Sequence, residues 1–140
     1  MKINSFSINQ FGQFSNQVFN FGIDSGIQIL FSRNEVGKST VLHALRDAMF
    51  GIETRSPYQY AFGSDYKGML LSMAVENSTG ETLSFSHRKG IKKTLLDSDG
   101  NNIADNSLLP FPGNIDKVLF IRMFGLDHSE LRSGGEALCR

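Results

Sequence analysis

Gly37, Lys38 and Ser39 sit together in the run Asn34-Glu35-Val36-Gly37-Lys38-Ser39-Thr40, and these residue types at this spacing can hold a chain of phosphates. The full pattern for such a loop is G-x-x-x-x-G-K-[ST]. Here Ser32 stands at the first glycine, and the Gly-Lys-Ser end is intact. The chemistry explains the spacing. Successive backbone N–H groups must curl around a β-phosphate, and a side chain at Gly37 would crowd that concavity. Lys38 has the reach to meet β- and γ-phosphates, and Ser39 can offer a hydroxyl to Mg²⁺. A helix that starts here turns its positive end towards the anion. The candidate nucleotide-binding set is therefore Arg33, Asn34, Glu35, Val36, Gly37, Lys38, Ser39 and Thr40, with Ser39 as the ligand to Mg²⁺. Ser32 leaves two readings open. The position demands an unusual backbone conformation and binding is weakened, or serine takes an ordinary conformation and the loop keeps its shape.

Such a loop needs a strand before it and a helix after it. Gly26-Ile27-Gln28-Ile29-Leu30-Phe31 is strand-like and apolar on both faces apart from Gln28, which predicts a place in the centre of a covered sheet. After the loop, Val41, Leu42, Leu45, Ala48 and Met49 recur at the spacing of a buried helix face over about 38–50. His43, Arg46 and Asp47 fall on the more exposed side, and Gly51 is the stop. The competing reading is a serine- and glycine-containing turn before an ordinary helix.

Around this unit the sequence predicts further strands. The first 31 residues suggest three: Phe6 and Ile8 alternate with serines, Phe19 and Phe21 flank Asn20, and the third leads into the loop. Residues 52–67 lack a period and read as a loop. Met69, Leu71, Met73 and Val75 share one face of a strand, Leu83 and Phe85 belong to a return strand, and Lys93–Leu96 to another, giving a meander over 68–97. Ser107–Phe111 suggests a helical turn, and Ile115, Val118, Leu119 and Met123 have helical spacing. Asp127 and Glu130 are spaced as a capping box, followed by Gly134-Gly135. The fold class expected is α/β with mixed α+β character: a mixed sheet on the phosphate-loop helix, a small meander and a helical C-terminal end, all in one domain over 1–140.

Bulk composition narrows the function. The chain has 140 residues, with 14 basic and 14 acidic side chains that cancel, so binding to nucleic acid through overall charge is not supported. Its single cysteine, Cys139, excludes an intrachain disulfide framework or a cysteine zinc site. No stretch has signal-peptide or membrane-span character, so a cytoplasmic protein without membrane attachment is expected. Arg88, Lys89, Lys92 and Lys93 beside Phe85 and His87 read as a solvated hairpin edge, or as a patch for a DNA backbone. Asp97-x-Asp99 reads as a turn rather than a calcium loop, and Tyr58 and Tyr60 as loop packing rather than stacking platforms.

Taken in order, a phenylalanine-rich opening hairpin, Asn34-Glu35-x-Gly37-Lys38-Ser39-Thr40, Ala48-Met49-Phe50-Gly51-Ile52, Arg55-Ser56-Pro57, Arg88-Lys89-Gly90, Leu95-Leu96-Asp97-x-Asp99-Gly100 and Met123-Phe124-Gly125-Leu126-Asp127-His128-x-Glu130-Leu131 with Gly134–Leu138 closely resemble the N-terminal ATPase segment of YhaN-like proteins. These belong to the SbcC/SMC-type branch of the ABC ATPases. The resemblance covers essentially the whole chain. It implies an ATP- and Mg²⁺-binding head, engagement of two heads around two nucleotides, and coupling to DNA processing or repair. It places Lys38 on the phosphates, Ser39 on the metal, and the family's glutamine loop near Phe120–Leu126, where this sequence has no glutamine. Such heads draw a signature motif, an acidic pair and a switch histidine from a C-terminal segment beyond a coiled coil. The 140 residues thus read as half a head that needs that segment, or a partner chain, for efficient hydrolysis. The alternative is a non-catalytic interaction or DNA-contact module whose loop no longer binds nucleotide.

Overall fold

A computed structural model describes residues 1–22, 26–33, 35–59, 68–113 and 115–124. A five-stranded sheet carries one long helix on its inner face. Strand β1 (Lys2–Phe11) turns through Gly12 and Gln13 into β2 (Phe14–Asn20), followed after the candidate loop by helix α1 (Lys38–Phe50). Then come β3 (Leu70–Glu76), β4 (Thr82–Arg88) and β5 (Leu95–Asp97), a 3₁₀ turn at Asp105–Leu108, and helix α2 (Lys117–Phe124). The strand order is β2-β1-β3-β4-β5, with every neighbouring pair antiparallel. The α/β character matches expectation, while the described strands form one antiparallel sheet. The predicted meander joins the opening hairpin through β1 and β3 instead of standing apart.

Alternation dictates the two faces. Phe6, Ile8, Leu71, Met73, Val75, Phe85 and Leu95 point inward and are buried against Ala44, Ala48 and Met49 of α1. Strict period two from Phe6 and Ile8 would next bury Gln10, yet Phe11 is the buried residue. The register between β1 and β3 shifts between Ile8 and Gln10, and that irregularity re-aims the strand. On the outer face, Ser7, Ser72 and Ser86 stand in one row across three strands, with Ser72 Oγ 2.8 Å from Ser86 Oγ and donating to Asn9 Oδ1 at 3.0 Å. That hydroxyl-lined surface is the solvent side of an antiparallel sheet.

Helix α1 ends where expected, at Gly51 with φ 94°, a backbone angle that glycine adopts freely. Its buried stripe is Thr40, Ala44, Asp47, Ala48 and Met49, rotated from the predicted one. Val41 and Leu45 pack at its margin. Asp47 corrects the expectation of an exposed position, since its surface is only 1% accessible. The cause is α2, which lies beside α1 through the Phe50–Phe120 ring contact at 5.2 Å. Lys117 of α2 brings Nζ to 3.9 Å from Asp47 Oδ1 and 2.8 Å from Glu53 Oε1, while Arg46 Nε lies 3.4 Å from Asp47 Oδ1. From β4, His87 Nδ1 donates to the Ala48 carbonyl at 2.6 Å, fixing α1 to the sheet. Burial holds the His87 pKa below its ordinary value, partly opposed by that hydrogen bond.

The larger correction concerns Gly26–Phe31. No ladder among the described strands includes this segment. Ile27, Ile29 and Phe31 are 82%, 83% and 93% exposed, whereas a central covered strand would bury them. Gln28 and Leu30 turn the other way and line a cleft of about 530 Å³ with Met1, Lys2, Ile3 and Phe21. Hence two strands, and not three, occur among the described residues of the first 31.

Burial raises the Asp47 pKa from 3.8 to about 6, against the opposing pull of Arg46 and Lys117. Between those two values the folded chain holds a proton that the unfolded chain has released, so this group makes stability fall as pH rises through that window. A shift of about two units corresponds to about 3 kcal/mol. Asp47→Asn should flatten the stability profile between about pH 4 and pH 6, measured by urea denaturation across pH. An unchanged slope in the variant would contradict this assignment.

Candidate functional site

The candidate loop is set between the β1–β2 hairpin tip and the start of α1. The tip is anchored first. Gly12, with φ 56°, donates its N–H to the Tyr58 carbonyl at 2.9 Å. The Tyr58 ring stacks on Phe11 at 4.8 Å and lies 5.2 Å from His43. Tyr58 therefore packs the hairpin on α1, as the sequence suggests, and Tyr60 lies outside the described residues.

Within the loop, Glu35 and Gly37 have positive φ, 67° and 102°, whereas Ser32 is not among the positive-φ residues. Ser32 therefore lies outside the left-handed region that favours glycine. Gly37 is required twice over. Its backbone lies in the left-handed region, and a Cβ there would fall 2.2 Å from Gln13 Nε2 and 2.7 Å from the Phe14 ring. Lys38 folds back over the loop, with Nζ donating to the Ser32 carbonyl at 2.9 Å and the Arg33 carbonyl at 2.7 Å. Thr40 is buried and donates from Oγ1 to Gln13 Oε1 at 3.1 Å. Arg33, Glu35, Val36 and Ser39 are exposed around this turn, and Asn34 lies outside the described residues.

The start of α1 is electrostatically bare. It has no side-chain cap and no acidic residue in its first turn. Its leading N–H groups and positive dipole end are therefore free of an internal anion. With Lys38 as its first residue, this helix start suits a phosphate group. For a metal ion the fit is narrower. Among the described residues no cluster of three His, Cys, Asp or Glu could hold one, so Ser39 could supply a single hydroxyl to an ion carried in with phosphates.

The remaining candidates do not join this site. Phe85 and His87 are buried under the sheet, away from the basic edge. Arg88 Nε donates to the Lys93 carbonyl at 3.1 Å, and Lys89 Nζ donates to Gln59 Oε1 at 2.9 Å. Asp97 accepts the backbone N–H groups of Asp99 and Asn101 at 2.9 and 2.8 Å. These bonds hold its carboxyl below the usual range, the bond from Asn101 foremost, and make the segment a turn. Phe120–Phe124 lie in α2, while residues 125–140, including Asp127, Glu130, Gly134, Gly135 and Cys139, lie outside the described residues. Sequence reading missed Gln13, whose only local signal is its place after Gly12 in the hairpin turn.

The chain belongs to the family whose model is described as an AAA domain, which matches residues 1–140. The Bacillus subtilis (strain 168) protein YhaN is 31% identical over 99 residues, covering 64% of this chain and 10% of YhaN. The chain thus spans about a tenth of that relative's length. A structure from "Structural biochemistry of ATP-driven dimerization and DNA stimulated activation of SMC ATPases" superposes with a TM-score of 0.61 at 12% identity, covering 95% of this chain and 90% of that one. That likeness is one of fold. No helix among the described residues is long and apolar enough to cross a membrane.

Gly37→Ala should cost about 1–2 kcal/mol for the left-handed backbone alone, with more from the collision with Gln13 and Phe14. Thermal denaturation of the ligand-free chain measures this. A variant as stable as the parent would mean that the turn and the hairpin tip are not in contact in solution.

Proposed function

We propose that this chain is the nucleotide-binding portion of an SMC/YhaN-like ATPase and takes ATP with Mg²⁺ on residues Arg33–Thr40. The observation that carries the reading is the bare start of α1 with Lys38 Nζ lying back on the Ser32 and Arg33 carbonyls. An arriving phosphate would exchange those two neutral acceptors for a charged one, and charge-assisted hydrogen bonds are the stronger kind. Gly37 and Lys38 cradle the phosphates in this reading, Ser39 faces the metal, and Arg33, Asn34, Glu35, Val36 and Thr40 complete the loop. ATP with Mg²⁺ supplies the phosphate anhydride and the charge that the ion neutralises.

Hydrolysis in this reading needs groups from outside residues 1–140. The exposed Ile27, Ile29 and Phe31 support a covering neighbour on this segment, because alternate apolar side chains suit burial against another surface. The occupant would come from the C-terminal part of a longer protein or from a partner chain. Engagement of two heads around nucleotide, with work on DNA in the cytoplasm, extends the same reading from the SMC-type fold.

Calorimetric titration with ATP and Mg²⁺ tests the site. Binding to the parent should be lost in Lys38→Ala and should stay within about two-fold in Ser32→Gly, since Ser32 lies outside the left-handed region that favours glycine. Parent and Lys38→Ala binding alike, or neither binding, would move the interaction-module reading ahead. Light scattering tests the partner. The parent should self-associate with rising concentration, and Ile29→Asp with Phe31→Asp should reduce this. A parent that remains monomeric at high concentration would argue against a missing neighbour on this segment.

A further inference from the structure

Gln13 lies far in sequence from residues 37–40, yet its side chain spans them. Its Oε1 accepts the Thr40 hydroxyl at 3.1 Å. Its Nε2 occupies the space where a side chain on Gly37 would begin, 2.2 Å from the position of that Cβ. The carboxamide thus rests against both ends of the first turn of α1. We propose that Gln13 is a positioning residue of the phosphate-binding loop, setting the loop's shape through Thr40 and Gly37 from the hairpin tip. The proposal rests on the nucleotide-binding reading above.

Three features support it. A helical threonine commonly turns its hydroxyl back to a carbonyl of the preceding turn. Thr40 instead bonds Gln13, which ties the first turn to the hairpin tip, and the same turn carries a regular helical bond from the Val41 N–H to the Gly37 carbonyl at 3.0 Å. Second, the hairpin tip is itself held, through the Gly12–Tyr58 backbone bond and the stacking of Tyr58 on Phe11. A brace is effective only when its base is fixed, and this base is tied to the same core as α1. Third, the brace is neutral. A glutamate could accept from Thr40 equally well, but it would bring a negative charge to a helix start that has no acidic residue of its own. The amide can hold Thr40 without repelling a phosphate.

The test compares the parent, Gln13→Ala and Gln13→Glu by two readouts: hydrogen exchange of the Val41 amide, which the Gly37 carbonyl accepts, in the ligand-free chain, and titration with ATP and Mg²⁺. Gln13→Ala should speed exchange about five-fold, the worth of one neutral hydrogen bond, and weaken ATP binding by a similar factor. Gln13→Glu should keep the slow exchange, because it keeps the acceptor. It should nevertheless bind ATP more weakly, by an amount that shrinks as salt is raised. A residue that merely supports the fold would let Gln13→Glu bind like the parent at every salt concentration. Unchanged exchange in Gln13→Ala overturns the proposal, as does parent-like ATP binding in both variants. Should the parent bind no ATP, the nucleotide reading falls and exchange alone decides the brace: faster in Gln13→Ala upholds it, and unchanged overturns it.

Discussion

The close approach of α1 to the sheet is the contact on which the rest of the structure depends. Ala44 and Ala48 are fully buried at that contact, and their small side chains let the helix backbone come near the strands. The nearness is what allows His87 of β4 to donate to the Ala48 carbonyl at 2.6 Å. A hydrogen bond to a main-chain carbonyl in the last turn fixes position along the helix as well as distance. Once α1 is held there, its N-terminus must fall beside the β1–β2 turn. Gly37 then has no room for a side chain, and Thr40 meets Gln13. The loop's geometry is therefore a consequence of core packing as much as of the loop's own sequence.

The same helix is gripped differently at its two ends. At its start the grip is neutral: a carboxamide, a phenylalanine ring and main-chain carbonyls. Towards its end it is ionic, with Asp47, Arg46, Lys117 and Glu53 gathered between α1 and α2. Lys117 is shared between two carboxylates. Its hydrogen bond holds the Glu53 carboxyl below the usual range, while the buried Asp47 is pushed up to about 6. Desolvation outweighs pairing at Asp47 because the charges that face it lie at 3.4 and 3.9 Å and only partly replace lost water. A fixed charge of this kind would oppose an anion if it stood at the helix start. Its place on the last turns keeps it out of the loop.

Much of this was legible in the sequence, and the failures share a cause. The bounds of α1, its Gly51 stop and the inward faces of β3 and β4 follow from periodicity, which is a local property. Asp47 was misread because a charged residue at the edge of an apolar stripe looks exposed until a second helix covers it. Phe11 was out of phase because a bulge is invisible to a strict period of two. Gln13 carried almost no signal, since its partners lie beyond any local window and a polar residue after glycine in a hairpin turn is ordinary. The candidate loop is recognised from type and spacing alone, but the backbone that Ser32 takes is not. That depended on where the loop places its positive φ angles, at Glu35 and Gly37.

Gly26–Phe31 is the instructive failure. Its composition predicts a strand buried on both sides, and the structure contradicts this by leaving Ile27, Ile29 and Phe31 exposed. Burying Ile27, Ile29 and Phe31 would be worth about 1.5–3 kcal/mol each. That burial is not supplied by the five described strands, whose order is completed by β2 at one edge and β5 at the other. The segment that leads directly into the candidate loop is thus the one the described sheet leaves uncovered. Whatever covers it would also fix the direction from which the chain enters Ser32 and Arg33, whose carbonyls hold Lys38. Completion of the sheet and the shape of the loop are for this reason one problem, joined through residues 26–33.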